Sequence, residues 1–368
     1  MVGIASSSSE GPSTQQPRST ARATTLGILA ALAGLMFGLD TGVVAGALPF
    51  IATDFHAGDA LQGWIVSSMM AGATVGSLFA GRISVRFGRT GAMLGAAILF
   101  LLGTLLCALA PGAAVMIVGR LFLGLAVGVA AFAAPLYISE ITVESVRGAM
   151  ISFYQLMVSL GIFLAFVSDS LLASGGHWRW MLGVMAVPAS FFLGIVLILP
   201  HSPRWLMMRG EKERARRVLQ SLRSDEEVAE AELVDIQSRL QKSSDAGLGL
   251  FRSNPNFRRT VFLGMLLQIM QQLSGINALL YYAPRVFQAA HFGTNASIWA
   301  TTLVGLTNMA LTGVAIACVD RWGRRPLLIL SCGIAAFSLA GVGTLLAIGA
   351  QSFGLQLLLC GFVLLFVA

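Results

Sequence analysis

The chain has 368 residues, of which 56% are hydrophobic and only 11% are charged, and its formal net charge is +7. A soluble protein has about a quarter of its residues charged, so this composition excludes an ordinary soluble domain and indicates a membrane protein. The positive charge argues little for nucleic acid binding, because a soluble basic domain usually presents such surfaces and none is evident here.

The predicted elements begin with residues 1–24, which are rich in Ser, Thr, Gln and Pro and are expected to form a disordered cytoplasmic tail. Apolar runs of roughly 20 residues follow, each long enough to cross a bilayer as a helix. Nine such runs lie near 25–48, 62–81, 91–110, 113–138, 150–172, 180–199, 259–283, 296–319 and 327–349, and a tenth begins near 353. Because lipid offers backbone groups no hydrogen-bond partner, the runs are predicted to be helices, which makes this an all-α membrane protein.

The distribution of Lys and Arg sets the predicted orientation. These residues lie before the first run and in every second connection after it, whereas only Arg179 and Arg285 lie in the alternate connections. Positive residues remain on the cytoplasmic side, so we expect a multi-pass protein of the cell membrane, inner or plasma, with a cytoplasmic amino terminus.

The chain also repeats itself. GRISVRFGR at 81–89 resembles CVDRWGRR at 318–325, with an offset of 235 residues between Gly88 and Gly323. Such a repeat indicates two six-helix bundles. The predicted domains are a first bundle at 25–200, a cytoplasmic linker with short amphipathic helices at 201–256, and an incomplete second bundle at 257–368. The second bundle is expected to hold the seventh to ninth helices and part of the tenth, within which the chain appears truncated.

Asp40 lies inside the first apolar run, and Arg120 in another run is its candidate partner of opposite charge. A carboxylate in hydrocarbon costs roughly 3 kcal/mol or more, so it is expected to have a partner and a function. Asp40 is about 15 residues up a rising helix and Arg120 about 7 residues down a descending one, which places them at similar depth. The pair is either a proton-coupling site or a static buried salt bridge.

Six motifs together resemble the sugar porters of the major facilitator superfamily, and bacterial galactose– and hexose–proton symporters in particular. They are FGLDTGVVAG (37–46), GRLFLGLAVG (119–128), PLYISEITVESVRG (135–148), PHSPRW (200–205), QQLSGIN (271–277) and DRWGRR (320–325). The resemblance runs from about residue 25 to the last residue. It implies two six-helix bundles that transport sugar by alternating access. In proton-coupled members the position of Asp40 is acidic, which favours symport.

The resemblance also implies a sugar site. Neutral amides suit a neutral polyol, because they both donate and accept hydrogen bonds without charge. The residues that match the family's sugar ligands are Gln155, Gln271, Gln272, Asn277 and Asn308, and Tyr281 and Phe37 match aromatic positions. The alternative for a lone amide in a membrane helix is a hydrogen bond to a neighbouring helix. The alternative for Phe37 is a ring that faces the core or the lipid.

Charged residues at the cytoplasmic helix ends match the family's gating groups. They are Glu140, Arg147, Arg86, Arg89, Asp320, Arg321, Arg324 and Arg325. By resemblance they form salt bridges between helices that hold the outward-facing state, although arginines at helix ends also serve as plain positive-inside anchors. The first loop departs from the family pattern, with Val85 where many members have Asp and Thr90 in place of a second Arg.

The sequence therefore predicts a secondary transporter that imports a hexose with a proton, and not an enzyme. The alternatives are a facilitative sugar or polyol uniporter, or a non-transporting sugar-binding or truncated product. The expected partners are a sugar, a proton and the lipid bilayer, with no nucleic acid, and the protein is expected to be monomeric. No cofactor is expected, and no metal either, since the four cysteines lie at or within apolar runs without metal spacing.

Overall fold

The computed structural model of the protein describes residues 17–223, 225–242, 251, 254–349 and 352–368, with the backbone alone at 17–20, 174, 242, 294 and 320. Within these residues the structure is helical, as predicted. The helices are α1 (Pro17–Asp54), α2 (Asp59–Ala108), α3 (Ala113–Ile141), α4 (Glu144–Leu172), α5 (Trp178–Gly183), α6 (Ala186–Ile198), α7 (Pro203–Met208), α8 (Lys212–Leu222), α9 (Glu226–Lys242), α10 (Pro255–Leu273), α11 (Ile276–Ala289), α12 (Thr294–Trp322), α13 (Arg324–Ile348) and α14 (Phe353–Val367).

Eight segments of the described chain are long and apolar enough to cross a membrane. One of them, α2, has 50 residues and is about 75 Å long at 1.5 Å per residue, which is enough for two crossings of a core of about 30 Å. Gly88 divides it, because its φ of 83° and ψ of 167° are not helical. The structure therefore agrees with the nine predicted spans, and the fold class is confirmed.

The first helix begins earlier than predicted. Helix α1 starts at Pro17, so residues 17–24 extend the helix and do not belong to a disordered tail. The physical reason is local: proline suits the first turn, where its missing N–H has no partner to lose, and Ala21 and Ala23 favour helix. Residues 1–16 of the predicted tail lie outside the described residues.

Glycines set the packing of the first bundle. Gly34, Gly38, Gly42 and Gly46 recur every four residues and form one stripe on α1 that faces α4. A methyl group at Gly38 would lie 2.0 Å from the carbonyl oxygen of Val158, so the two backbones are in direct contact. Helices in lipid associate through such small residues, because apolar burial gives little drive there.

The linker forms a small structure of its own. Helices α7, α8 and α9 bury a cluster that includes Trp205, Leu206, Leu219 and Leu233. Arg223 ties this cluster to the first bundle, since it donates to both carboxylate oxygens of Glu232 at 2.6 and 2.8 Å and to the Ile141 carbonyl at 3.1 Å. The predicted amphipathic helices are therefore present and docked against the end of α3.

The two halves of the chain meet along α4 and α12 and along α1 and α11. Near the end of the bundle where α1 finishes, Arg285 of α11 donates a hydrogen bond to Gln62 of α2, and Tyr281 of α11 is buried near Met69. We call this the closed end. At the opposite end, which we call the open end, α10 has no buried side chain. Among the described residues, the side-chain hydrogen bonds between the halves lie at the closed end and in the middle of the bundle.

The glycine stripe leads to a prediction about stability. Replacing Gly38 with Ala should lower the melting temperature of the detergent-purified protein, because the methyl group would overlap the Val158 carbonyl and overpacking costs about 1–3 kcal/mol. Gly95→Ala is the matched control, since nothing lies within 4 Å of the added methyl and alanine favours helix. Equal melting temperatures for the two variants would contradict this account of the α1–α4 contact.

Candidate functional site

Asp40 and Arg120 form an ion pair in the interior of the first bundle. Neither side chain has any solvent-accessible surface, and Nη1 of Arg120 donates to Oδ1 of Asp40 at 2.5 Å. Among the described residues Oδ2 of Asp40 and Nε and Nη2 of Arg120 have no hydrogen-bond partner. The pair predicted from sequence therefore exists, and it is held by one hydrogen bond although its atoms could form several.

The position of Asp40 follows from the glycine stripe. Residues two apart on a helix point about 200° away from each other, so Asp40 faces away from Gly38 and towards α3. On α3, Arg120 follows Gly119, whose own packing is against Cys107 of α2. The close α1–α4 contact thus turns the carboxylate towards α3, where Arg120 is fully buried.

Tyr281 connects this pair to the second half of the chain. The residue is 4% exposed and belongs to α11. Its phenol interacts with Thr41, the neighbour of Asp40, and lies within electrostatic range of Arg120 and Asp40. Its hydroxyl also points at the sulfur of Met69, 4.0 Å away. The aromatic residue expected at the sugar site therefore lies beside the ion pair.

The amides of the seventh span surround a break in its helix. Gly275 has a φ of 82°, a left-handed conformation that glycine adopts freely, and it separates α10 from α11. Across the break Nδ2 of Asn277 donates to Oε1 of Gln272 at 2.9 Å. On the α10 side Gln271 accepts a bond from Gln268 at 3.0 Å. The break brings two of the predicted ligands together and leaves Gln271 and Gln272 exposed.

Gln155 and Asn308 lie on the interface between α4 and α12. These helices run antiparallel, and Ser159 and Thr312 share a hydrogen bond of 2.9 Å between them. Gln155 is one turn before Ser159 on α4, and Asn308 is one turn before Thr312 on α12, so the two amides lie on opposite sides of this contact. Oδ1 of Asn308 has no partner among the described residues. The structure does not join these two amides to those of α10 and α11 by any hydrogen bond between the described side chains.

Phe37 has different surroundings. Its ring lines an apolar pocket inside the first bundle together with Met36, Phe100, Tyr154 and Phe192. No amide contributes to the lining of that pocket. In this pocket Phe37 therefore has none of the predicted amide ligands as a neighbour.

Two of the predicted gating residues, Arg89 and Glu140, pair with each other at the open end. Arg89 donates to Oε1 of Glu140 at 2.7 Å, and both side chains are nearly inaccessible to solvent. Oε2 of Glu140 accepts a bond of 2.6 Å from Ser202, which also caps the first turn of α7. Glu140 thus joins α2, α3 and the linker, and it does not pair with Arg147.

The remaining predicted gating arginines make no ion pair with any described side chain. All of them are exposed, and they are Arg86, Arg147, Arg321, Arg324 and Arg325. The side chain of Asp320 lies outside the described residues. The salt bridges expected between the two halves at this end are therefore not formed in this conformation, in which the halves are separated there.

Sequence reasoning missed the contacts that His201 makes in the PHSPRW motif. Its Nδ1 is 2.6 Å from the hydroxyl of Thr90, and its ring stacks on Trp205 with centroids 4.7 Å apart. Gly88, with its positive φ, faces both rings. The departure at Thr90 was visible in the sequence, but its partner was not, because 111 residues separate the two positions.

Sequence reasoning also missed Asp169 of α4, which is 1% exposed. Neither of its carboxyl oxygens forms a hydrogen bond of good geometry with a described residue. The signal was present, since it is a second acid inside an apolar run. Asp169 was overlooked because the search was for pairs of opposite charge, and no cation in the apolar runs matches it.

The family model and the relatives that match this chain are all described as sugar transporters. The family model described as "Sugar (and other) transporter" matches residues 26–368. The galactose-proton symporter of Escherichia coli K12 is 48% identical over 340 residues, which are 92% of this chain and 73% of that protein. The arabinose-proton symporter of the same strain is 50% identical over 319 residues, which are 86% of this chain and 66% of that protein.

Solved structures of similar shape are those of a xylose transporter. The partially occluded inward-open conformation of XylE from E. coli superposes with a TM-score of 0.81 at 29% identity, covering 94% of this chain and 84% of that one. The proton:xylose symporter XylE bound to 6-bromo-6-deoxy-D-glucose also gives 0.81 at 29% identity, covering 95% and 79% of the two chains.

The His201 contact leads to a prediction about pH. Partial burial, and then the charge of Arg214, lower the pKa of His201 below its usual 6.5, against a smaller opposing effect of Glu211. The unfolded chain therefore binds this proton more tightly, so stability falls as the pH drops below about 6.5. Between about pH 7 and pH 5, the melting temperature of His201→Gln should fall less than that of the wild type.

The exposed His177, at the opposite end of the bundle, provides the control for this measurement. His177→Gln should keep the wild-type dependence on pH. If His201→Gln also keeps it, the proton of His201 is not linked to folding.

Proposed function

The chain belongs to the sugar transporter family of the major facilitator superfamily, and we propose that it imports a hexose together with a proton by alternating access. The relatives named above are galactose- and arabinose-proton symporters, and the chain spans most of the galactose one. Family membership supports transport of a sugar, and the buried ion pair supports coupling to a proton.

The observation that carries the proposal is the single hydrogen bond between Asp40 and Arg120. A buried ion pair is stable only when good geometry offsets the desolvation of both charges, and this pair leaves three polar atoms unpaired. Protonation of Asp40 at Oδ2 would remove the charge that Arg120 needs. Arg120 must then find another partner, and the relative stability of the two conformations changes. A proton can thus drive the conformational change.

The sugar would bind in the cavity between the two halves. The Gln272–Asn277 pair of the broken seventh span is well suited, because two joined amides present both donors and acceptors. Tyr281 lies between this pair and the ion pair, since it is on α11 and contacts Thr41. A sugar that orders the α10–α11 break would therefore act on the surroundings of Asp40.

The proposal includes an orientation. With the amino terminus in the cytoplasm, the open end faces inwards and the closed end faces outwards, so the structure corresponds to an inward-facing state. In this scheme Arg285 and Gln62 close the outer side. The exposed arginines of the inner side, Arg86, Arg147, Arg321, Arg324 and Arg325, would form their bridges in the outward-facing state. We propose that the protein works as a monomer in the cell membrane.

The coupling role of Asp40 can be tested by Asp40→Asn, which keeps the size of the side chain and cannot ionise. Reconstituted wild type should accumulate sugar in response to a proton gradient. The variant should exchange internal for external sugar but should not accumulate it, because it cannot release a proton. Accumulation by Asp40→Asn at the wild-type level would exclude Asp40 as the proton carrier and would favour uniport or a different carrier.

The sugar site can be tested separately by Gln272→Ala and Asn277→Ala. Each variant should weaken sugar binding, measured by calorimetry on purified protein, by about 0.5–1.5 kcal/mol for each lost hydrogen bond, which is roughly threefold to tenfold. Thr307→Val is a suitable control, because the hydroxyl of Thr307 binds only the Leu303 carbonyl of its own helix. Unchanged affinity in both amide variants would exclude the site assigned here.

A further inference from the structure

Asp169 is a second acid, and the structure buries it without a charged partner among the described residues. Its carboxyl group lies against the α1 backbone, and a methyl group at Gly46 would be 2.3 Å from its Oδ2. Only glycine leaves room for it at this point of the α1 stripe. Neither carboxyl oxygen forms a hydrogen bond of good geometry with a described residue, although the backbone N–H of Gly46 lies near the group. Asp40 and Arg120 are on the other face of α1, so their ion pair makes no use of this group.

No cation among the described side chains pairs with Asp169. On α4 the nearest charged residue is Arg147, and on α12 there is none between Thr294 and Val319. Beyond the end of α4, Arg179 is bound to Asp54 of α1 at 3.2 Å and to the Ala110 carbonyl.

The other titratable groups along these elements also make no contact with it. Asp40 and Asp54 on α1 and His177 before α5 form no hydrogen bond or ion pair with Asp169 among the described side chains. A carboxylate without a cation beside it and without access to water is strongly disfavoured relative to the neutral acid.

The residue beside Asp169 holds the two halves together. Ser170 shares a hydrogen bond of 2.7 Å with Thr302 of α12, and Thr302 donates to the Phe166 carbonyl at 3.1 Å. These bonds lie towards the closed end and cross from the first half to the second. They must break when the halves separate there, and water then reaches this end of α4. Asp169 is therefore isolated from water only while the two halves are in contact at the closed end.

We propose that Asp169 is a second proton-binding residue of the transport cycle, protonated while the closed end is shut and ionised when it opens. The proton passes from the carboxyl O–H to water at the outer face and returns from the same side before closure. It does not cross the membrane. The inference rests on the proposed function for its orientation, and it makes the outward opening of the protein depend on external pH independently of Asp40.

The test uses Asp40→Asn as background, because sugar exchange survives there without titration of Asp40. In Asp40→Asn proteoliposomes the KM for external galactose should fall several-fold as the external pH rises from about 5 to about 8, since ionised Asp169 favours the outward-open state. In the Asp40→Asn, Asp169→Asn double variant the KM should be independent of pH. A double variant that keeps the full dependence would overturn the proposal.

Two further variants separate the proposal from other failures. Ser168→Ala, in the same background, should behave like Asp40→Asn alone, because the hydroxyl of Ser168 binds only the Ala165 carbonyl of its own helix. If the Asp169 variant does not fold, Thr302→Val weakens closure and should lower the pH at which KM changes; an unmoved midpoint would overturn the proposal. Sugar accumulation by Asp40→Asn would instead count against the proposed symport.

Discussion

A carboxylate and a guanidinium that are both inaccessible to solvent meet in this protein through one hydrogen bond, between Asp40 of α1 and Arg120 of α3. Buried pairs of this kind are poor sources of stability, because desolvation offsets most of their attraction. Their value lies in what happens when one partner changes its charge. The glycine stripe of α1 gives up side-chain contacts so that α1 can lie directly on α4, and this contact points Asp40 at Arg120.

Tyr281 connects the proposed sugar ligands to the proposed proton site. Tyr281 belongs to the second half, but it is buried beside Thr41 of the first. Four residues before it Asn277 binds Gln272 across the break at Gly275. A helix broken at this point can move its amides without moving the whole span. In the proposed mechanism Tyr281 therefore links the sugar contacts, the meeting of the two halves and the charge state of Asp40.

Much of this architecture could be predicted from the sequence, since apolar length, the positions of arginine and an internal offset are properties of the chain itself. The Asp40–Arg120 pair was predictable because opposite charges in lipid have few other options. The boundary of α1 at Pro17 was missed because a polar composition, which suggested a tail, does not prevent a helix. Long-range polar contacts, such as Thr90 with His201 and Ser170 with Thr302, depend on packing that no local pattern encodes.

The predicted amide ligands also show that contacts between residues distant in sequence could not be predicted. Gln272 and Asn277 are close in sequence, and the structure joins them. Gln155 and Asn308 are far apart in sequence, and the antiparallel packing of α4 on α12 sets them on opposite sides of the Ser159–Thr312 contact. Residue type alone could not show this separation.

In the proposed mechanism sugar and proton move together, so the pH outside cells or vesicles that contain the protein should report sugar entry. Addition of galactose to a weakly buffered, deenergised suspension should make the medium alkaline, with a rate that follows sugar entry. Sugar entry at the same rate with no change in external pH would contradict the account, because the ion pair would then have no proton to exchange.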